Sequence, residues 1–95
     1  MRYANRIDAN QGRIVEALRG AGAYVRIVTQ GDGIPDLLVG YKGVTILMEV
    51  KDGDKVPSAR KLTDAEQKFF NEWDGGMLVV VNSVQEALET LKRCE

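Results

Sequence analysis

Three residues able to do chemistry stand around one short hairpin pattern. Asp36 enters the apolar run 37–40, and Glu49 and Lys51 leave the run 44–50. Between the runs lies Tyr41-Lys42-Gly43-Val44, whose glycine suits a tight turn. With Lys42 and Gly43 as the two turn residues, Tyr41 pairs with Val44. Every further pair then keeps the same sum of residue numbers, which sets Asp36 directly opposite Glu49. Opposed side chains have Cβ atoms about 4.5–5.5 Å apart, and Lys51, two residues past Glu49, points to the same face. A three-residue turn would shift the register by one and separate the carboxylates.

Two opposed carboxylates repel, so a sheet built for stability alone avoids them. A divalent cation removes the conflict. Mg²⁺ is a hard ion that takes one or two carboxylates and keeps several waters; it can polarise a phosphoryl oxygen and lower the pKa of a bound water. A lysine on the same face can orient that water or balance charge on the transferring phosphoryl group. The set has the chemistry of a metal-dependent phosphodiesterase site. The competing reading is an ordinary hairpin that happens to expose an Asp, a Glu and a Lys.

Pro35-Asp36 followed by Glu49-Val50-Lys51 resembles the PD-(D/E)XK nuclease signature. Gly33-Ile34-Pro35-Asp36-Leu37-Leu38-Val39-Gly40, Met48-Glu49-Val50-Lys51-Asp52 and Leu62-Thr63-Asp64-Ala65-Glu66 are similar to the small stand-alone VRR-NUC branch found in phages and prophages. The resemblance runs from about Asp8 to the last helix, so residues 1–95 are expected to form one VRR-NUC-like nuclease domain. It implies an α/β, restriction-endonuclease-like αβββαβ core: a mixed four-stranded sheet flanked by helices. It implies a Mg²⁺-dependent deoxyribonuclease, with Mn²⁺ as a substitute, that hydrolyses phosphodiester bonds in DNA, including branched or structured DNA. Asp36, Glu49 and the Val50 carbonyl would hold the metal, and Lys51 would position the attacking water. The alternative within the same fold is a catalytically silent DNA-binding or assembly module. In the wider superfamily the first helix often lends an acid to the site; here Asp8, Asn10 and Glu16 are on offer, none a clear match, with Asn10-Gln11 the nearest. Relatives carry a glutamine of an S-x-x-Q motif where this chain has Glu66, followed by Gln67. Whether Glu66 or Gln67 supports the site, or Glu66 only completes a helix cap, stays open at this level.

The elements that must position these residues can be read from pattern. Asp8 is a good N-cap for a helix to about Arg19, with Ile14, Val15 and Leu18 at helical spacing and Gly20-Ala21-Gly22 as its stop. Met1 to Ile7 reads as a lead-in. Tyr24–Thr29 reads as a strand with Arg26 between apolar residues. The two hairpin strands are apolar on both faces, which requires helices above and below the sheet. Thr63 with Glu66 three residues on forms a capping-box pattern, and so does Ser83 with Glu86. Leu62, Phe69, Phe70 and Trp73 give the intervening helix a stripe that reads as core. Met77–Val81, the most apolar strand, is expected in the middle of the sheet, parallel to 44–50 after a helical crossover. In the last helix Ala87, Leu88 and Leu91 face the core.

Composition narrows the function classes. At 95 residues the chain can bury one small core. It has no histidine, which excludes His-activated nucleophiles and His-ligated zinc, and its one cysteine, Cys94, can form no internal disulfide. No run approaches the roughly 18 apolar residues of a membrane span and no signal peptide opens the chain, so the expectation is a cytoplasmic protein of a bacterial host or its phage. The net charge of −1 leaves little cationic surface for a nucleic acid. DNA contact should then be local, at Lys55, Ser58, Arg60 and Lys61 just beyond Lys51, and a homodimer would enlarge it. Its contact would come from the exposed side of the Tyr24–Thr29 strand or from the last helix with Leu88 and Leu91.

Overall fold

The computed structural model describes residues 9–28 and 30–95. The Asp8 cap, the Met1–Ile7 lead-in and Thr29 lie outside the described residues. The chain order is α1 (Ala9–Gly20), β1 (Tyr24–Ile27), β2 (Leu37–Tyr41), β3 (Val44–Val50), α2 (Asp64–Glu72), β4 (Met77–Val81) and α3 (Val84–Lys92). A 3-10 turn over Pro57–Arg60 precedes α2; a proline at its start supplies the φ that such a turn needs.

One sheet in the order β1-β2-β3-β4 carries the architecture. β1 and β2 are antiparallel, β2 and β3 are antiparallel, and β3 and β4 are parallel. This is the mixed four-stranded, helix-flanked sheet expected of a restriction-endonuclease-like core. The hairpin register is the one required by a two-residue turn: Tyr41 faces Val44 and Leu37 faces Met48. Lys42 and Gly43 both take positive φ, 50° and 82°, the type I′ geometry whose twist matches the flanking strands.

Alternation along the strands divides the sheet into two faces. Leu37, Val39, Ile46, Met48, Val50 and Val81 are buried with Ile14, Val15 and Leu18 of α1 and Ala87 and Leu91 of α3. On the opposite face lie Tyr24, Arg26, Asp36, Leu38, Gly40, Leu47, Glu49 and Lys51. Helix α2 approaches that face and has no fully buried residue; Leu62, Phe69 and Phe70 are half-buried and Trp73 is 39 % exposed. The α2 stripe is therefore a cover rather than core.

A second expectation is corrected. β4 is an edge strand, with β3 as its one partner among the described residues. Its unbroken apolar sequence reports cover on both faces, which does not require a neighbour on both edges. The central strands are β2 and β3.

Candidate active site

The site lies one step past the last ladder pair of the hairpin. Leu37 pairs with Met48, so continuing the register sets Asp36 opposite Glu49. In an antiparallel pair the positions that exchange both hydrogen bonds alternate with those that exchange none. A two-residue turn makes Tyr41 and Val44 an exchanging pair, and the alternation carries this to Leu37–Met48 and then to Pro35–Val50. Pro35 has no N–H. The Val50 carbonyl thus faces a ladder position that cannot donate to it. On the same side the Val50 N–H donates to Asp36 Oδ2 at 2.8 Å. Where the strands part, one carbonyl faces a position without an N–H and a carboxylate is pinned beside it.

Glu49 is 2 % exposed, and its Oε1 has no hydrogen-bond donor among the described residues. What crowds it instead are the carboxyl groups of Glu66 and Asp36. Burial first, and then these two neighbours, pushes its pKa up to about 9. Burial also raises Asp36, against the Val50 N–H that favours its charged form. Lys51 Nζ lies 3.4 Å from Glu49 Oε2 and 2.9 Å from Glu66 Oε1. The two carboxylates outweigh burial and hold the lysine above its usual range, while Lys51 and the Thr63 N–H outweigh burial at Glu66 and hold it below the carboxylate range.

The main chain of Lys51 is fixed from both sides. Its N–H donates to the Val81 carbonyl at 2.9 Å, which is the reach of β3 to its parallel neighbour. Its carbonyl accepts from Asn10 Nδ2 at 2.8 Å, and Asn10 also donates to the Asn82 carbonyl at 3.1 Å. Asn10 is 6 % exposed. It does not enter the carboxylate cluster; it ties the first turn of α1 to the ends of β3 and β4. Gln11 is buried one residue on, with Nε2 unpartnered, and Glu16 is exposed.

At the start of α2 it is Glu66, and not Gln67, whose side chain lies beside Lys51. Its Oε1 accepts from the Thr63 N–H at 2.9 Å, and the Thr63 hydroxyl accepts from the Glu66 N–H at 3.1 Å, so the capping box closes. The same oxygen takes Lys51. Gln67, also considered as a supporting residue, does not reach the site: it is exposed and donates to Asn71 Oδ1 along its own helix. Position N3 of the helix looks back over the cap and position N4 looks away. Gly33, at φ 80°, packs so closely on the backbone of Ala65 that no Cβ fits, which brings the loop carrying Pro35-Asp36 against the same first turn. The other cap differs slightly from its pattern. Ser83 accepts from the Glu86 N–H at 3.1 Å, but Glu86 Oε1 accepts from the N–H of Asn82, not of Ser83.

Beyond Lys51, Lys55, Ser58 and Lys61 are exposed. Arg60 separates from them. It is half-buried, its Nε has no partner among the described residues, and it lines a cleft of about 400 Å³ with Asn10, Arg13, Asp52 and Asn82.

Among the described residues no group of three or more His, Cys, Asp or Glu side chains is arranged to hold a metal ion. The donors on hand are two carboxylates and one main-chain carbonyl. They are all hard oxygens, one of them an orphaned and buried glutamate oxygen, and this set fits an Mg²⁺ ion that keeps several waters. Glu66 is occupied by Lys51 and by the cap.

No family model matches the chain, and no curated protein matches it. A solved structure described as a VRR_NUC domain is similar over 93 % of this chain and 100 % of its own, with 25 % sequence identity and a TM-score of 0.61. That likeness bears out the resemblance read from Pro35-Asp36 and Glu49-Val50-Lys51. No helix among the described residues is long and apolar enough to cross a membrane.

Proposed function

We propose that this chain, VRR-NUC-like in fold, is a Mg²⁺-dependent endonuclease that hydrolyses phosphodiester bonds in DNA, with branched or structured DNA among its substrates. The observation that carries the reading is the end of the hairpin. Asp36 and Glu49 stand opposite each other, Lys51 Nζ is 3.4 Å from Glu49, and the Val50 carbonyl has no ladder donor. Asp36, Glu49 and that carbonyl would hold Mg²⁺ or Mn²⁺, which when bound supplies Lewis-acid polarisation and an acidified water. Asp36 is oriented for this by the Val50 N–H. Glu49 must lose the proton that its burial favours, so divalent binding and deprotonation are linked. Lys51, held by its fixed main chain, faces the same ground and would orient the attacking water or offset charge on the phosphoryl group.

Lys55, Ser58 and Lys61, with Arg60 set deeper, would hold the DNA backbone beside the site. The active unit would be a homodimer, since one site cuts one strand and a two-fold axis supplies the second. Of the two contact surfaces considered, the last helix offers little: Leu91 is 2 % exposed and Leu88 packs against the core. The edge of β1, with Ile27 44 % exposed, is the better surface.

A catalytically silent DNA-binding module is the second reading, favoured by one observation: Glu66 already occupies Lys51 at 2.9 Å. Nicking of supercoiled plasmid with Mg²⁺ or Mn²⁺, followed by single-stranded, duplex, flapped and four-way substrates, separates the two. Loss of cleavage in Asp36→Asn supports the enzyme. DNA binding without any divalent-dependent cleavage in the wild type establishes the silent module.

A further inference from the structure

The face of the sheet that carries Asp36, Glu49 and Lys51 does not stop at them. Strand parity puts Leu38 and Gly40 of β2 on it, and the β1–β2 register sets Arg26 beside Leu38 and Tyr24 beside Gly40. Helix α2 is tied to the Lys51 end through Glu66, and the β1–β2 half of the face stays open. Tyr24 is 60 % exposed, Leu38 is 38 % exposed, and Arg26 is exposed. Gly40 adds no side chain, so the surface dips there between Tyr24 and its neighbours.

Arg26 forms no salt bridge with a carboxylate of the described residues, although Asp36 lies close by. One Nη1–H donates to the Tyr24 hydroxyl at 3.2 Å, along the strand and away from the acids. The β1–β2 register places Val28 opposite Asp36, which makes Arg26 a diagonal neighbour of Asp36. Diagonal neighbours on one face are about 7–8 Å apart, within reach of a long side chain. Phosphates advance about 3.4 Å along each strand of B-form DNA. A strand with one phosphate over Asp36 and Glu49 would bring a phosphate one or two steps away to the Arg26 guanidinium. Tyr24 follows two residues further along β1, where a base of the same strand can lie on its ring; base–aromatic stacking is sequence-tolerant.

We infer that Tyr24 and Arg26 form a substrate platform on the open half of the sheet, gripping the nucleic-acid strand beside the cleaved phosphate. The inference rests on the nuclease reading for the position of the cut, but the binding itself is independent of chemistry. The occupant is a nucleic-acid strand rather than a second copy of this chain, for two reasons: the platform runs without a break into the carboxylate site, and it presents an uncompensated guanidinium beside an aromatic ring. Arg is the residue suited to a phosphate in such a position.

The test uses the full chain with Ca²⁺ in place of Mg²⁺ and fluorescent single-stranded and duplex oligonucleotides, read by anisotropy across a salt series. Arg26→Gln is expected to weaken binding of both about five- to tenfold and to make the salt dependence shallower by about one ion. Tyr24→Ala is expected to weaken single-strand binding about fivefold or more while Tyr24→Phe retains it. In Mg²⁺, both losses should fall on KM with kcat near wild type. Unchanged affinity and salt slope in Arg26→Gln overturns the platform. So does a variant that changes the oligomeric state by light scattering while affinity stays constant, because the surface would then join two copies. Wild type that binds through Arg26 but never cleaves leaves the platform standing and removes the nuclease reading; wild type that cleaves with KM untouched in both variants does the reverse.

Discussion

Without metal, Glu49→Gln should make this protein more stable, and by an amount that depends on pH in a defined direction. Glu49 keeps its proton in the folded state up to about pH 9, against an ordinary value of 4.5. Between those two values the folded chain binds a proton that the unfolded chain releases, so stability falls as pH rises through the window. The sign is that of a carboxyl raised by burial: its contribution is intact below the unfolded value and is lost on the way up to the folded one. At pH 7 the gap from 4.5 is about 2.5 units, which at about 1.4 kcal/mol per unit costs roughly 3 kcal/mol. Glutamine has the same shape and no proton to recover. It weakens the 3.4 Å contact to Lys51, which reduces the net gain to about 2 kcal/mol, or roughly 8–16 °C in Tm for a domain of this size. At pH 5 the same arithmetic leaves well under 1 kcal/mol.

Thermal unfolding in a chelator from pH 5 to 8 measures this directly. The Tm difference should open steadily as pH rises. Added Mg²⁺ should then raise the wild-type Tm and leave Glu49→Gln where it was, narrowing or reversing the order. A variant less stable than wild type at pH 8, or a Tm gap that is flat from pH 5 to 8, would refute the crowded-carboxylate argument.

Four further outcomes follow from the same geometry. Lys51→Ala should lower turnover at least a hundredfold while calorimetric Mn²⁺ binding and DNA affinity persist; cleavage at the wild-type rate would reduce Lys51 to a counter-ion. Glu66→Gln should keep the helix cap, because glutamine also closes a capping box, and raise kcat by loosening Lys51 from its 2.9 Å partner; Gln67→Ala should change neither kcat nor Tm. Arg60→Ala combined with Lys61→Ala should weaken DNA binding and flatten its salt dependence by about two ions, read by anisotropy. Light scattering at micromolar concentration should show a dimer that Ile27→Lys, on the β1 edge, converts to a monomer; a wild-type monomer that still cuts both strands rules the dimer out.

The hairpin was legible in the sequence because local rules agree there. Lys42-Gly43 accepts the positive φ of a type I′ turn, and apolar runs on both sides hold a register in which a slip would turn every core residue outward. The facing of Asp36 and Glu49 followed from numbering. Other features depend on where distant elements dock, and no local pattern encodes that. The edge position of β4 was hidden because an edge strand covered on both faces reads like a central one. The choice between Glu66 and Gln67 required knowing that α2 lies over the Lys51 face. Asn10 could be singled out as a polar residue at a helix start, but its grip on the Lys51 and Asn82 carbonyls joins parts of the chain 41 and 72 residues away. Tyr24 and Arg26 read as ordinary strand residues until their register put Arg26 diagonal to Asp36 and Tyr24 next to it on the same face.

Pro35 ties these observations together. A hairpin built for stability would continue its ladder to the end of β3, and any other residue at position 35 would bring an N–H to the exchanging position opposite Val50. Proline withholds it. The Asp36 side chain then takes the Val50 N–H, so this donor is satisfied by a carboxylate while the Val50 carbonyl faces a ladder position that has no N–H. An orphaned Glu49 oxygen would cost a buried sheet about 1–3 kcal/mol, and two crowded acids add to it. Their concentration at one strand end, where the rest of the same hairpin keeps a regular register, supports the proposal of a site that a cation completes. Stability and function part company between Leu37 and Asp36, one residue past the last regular pair.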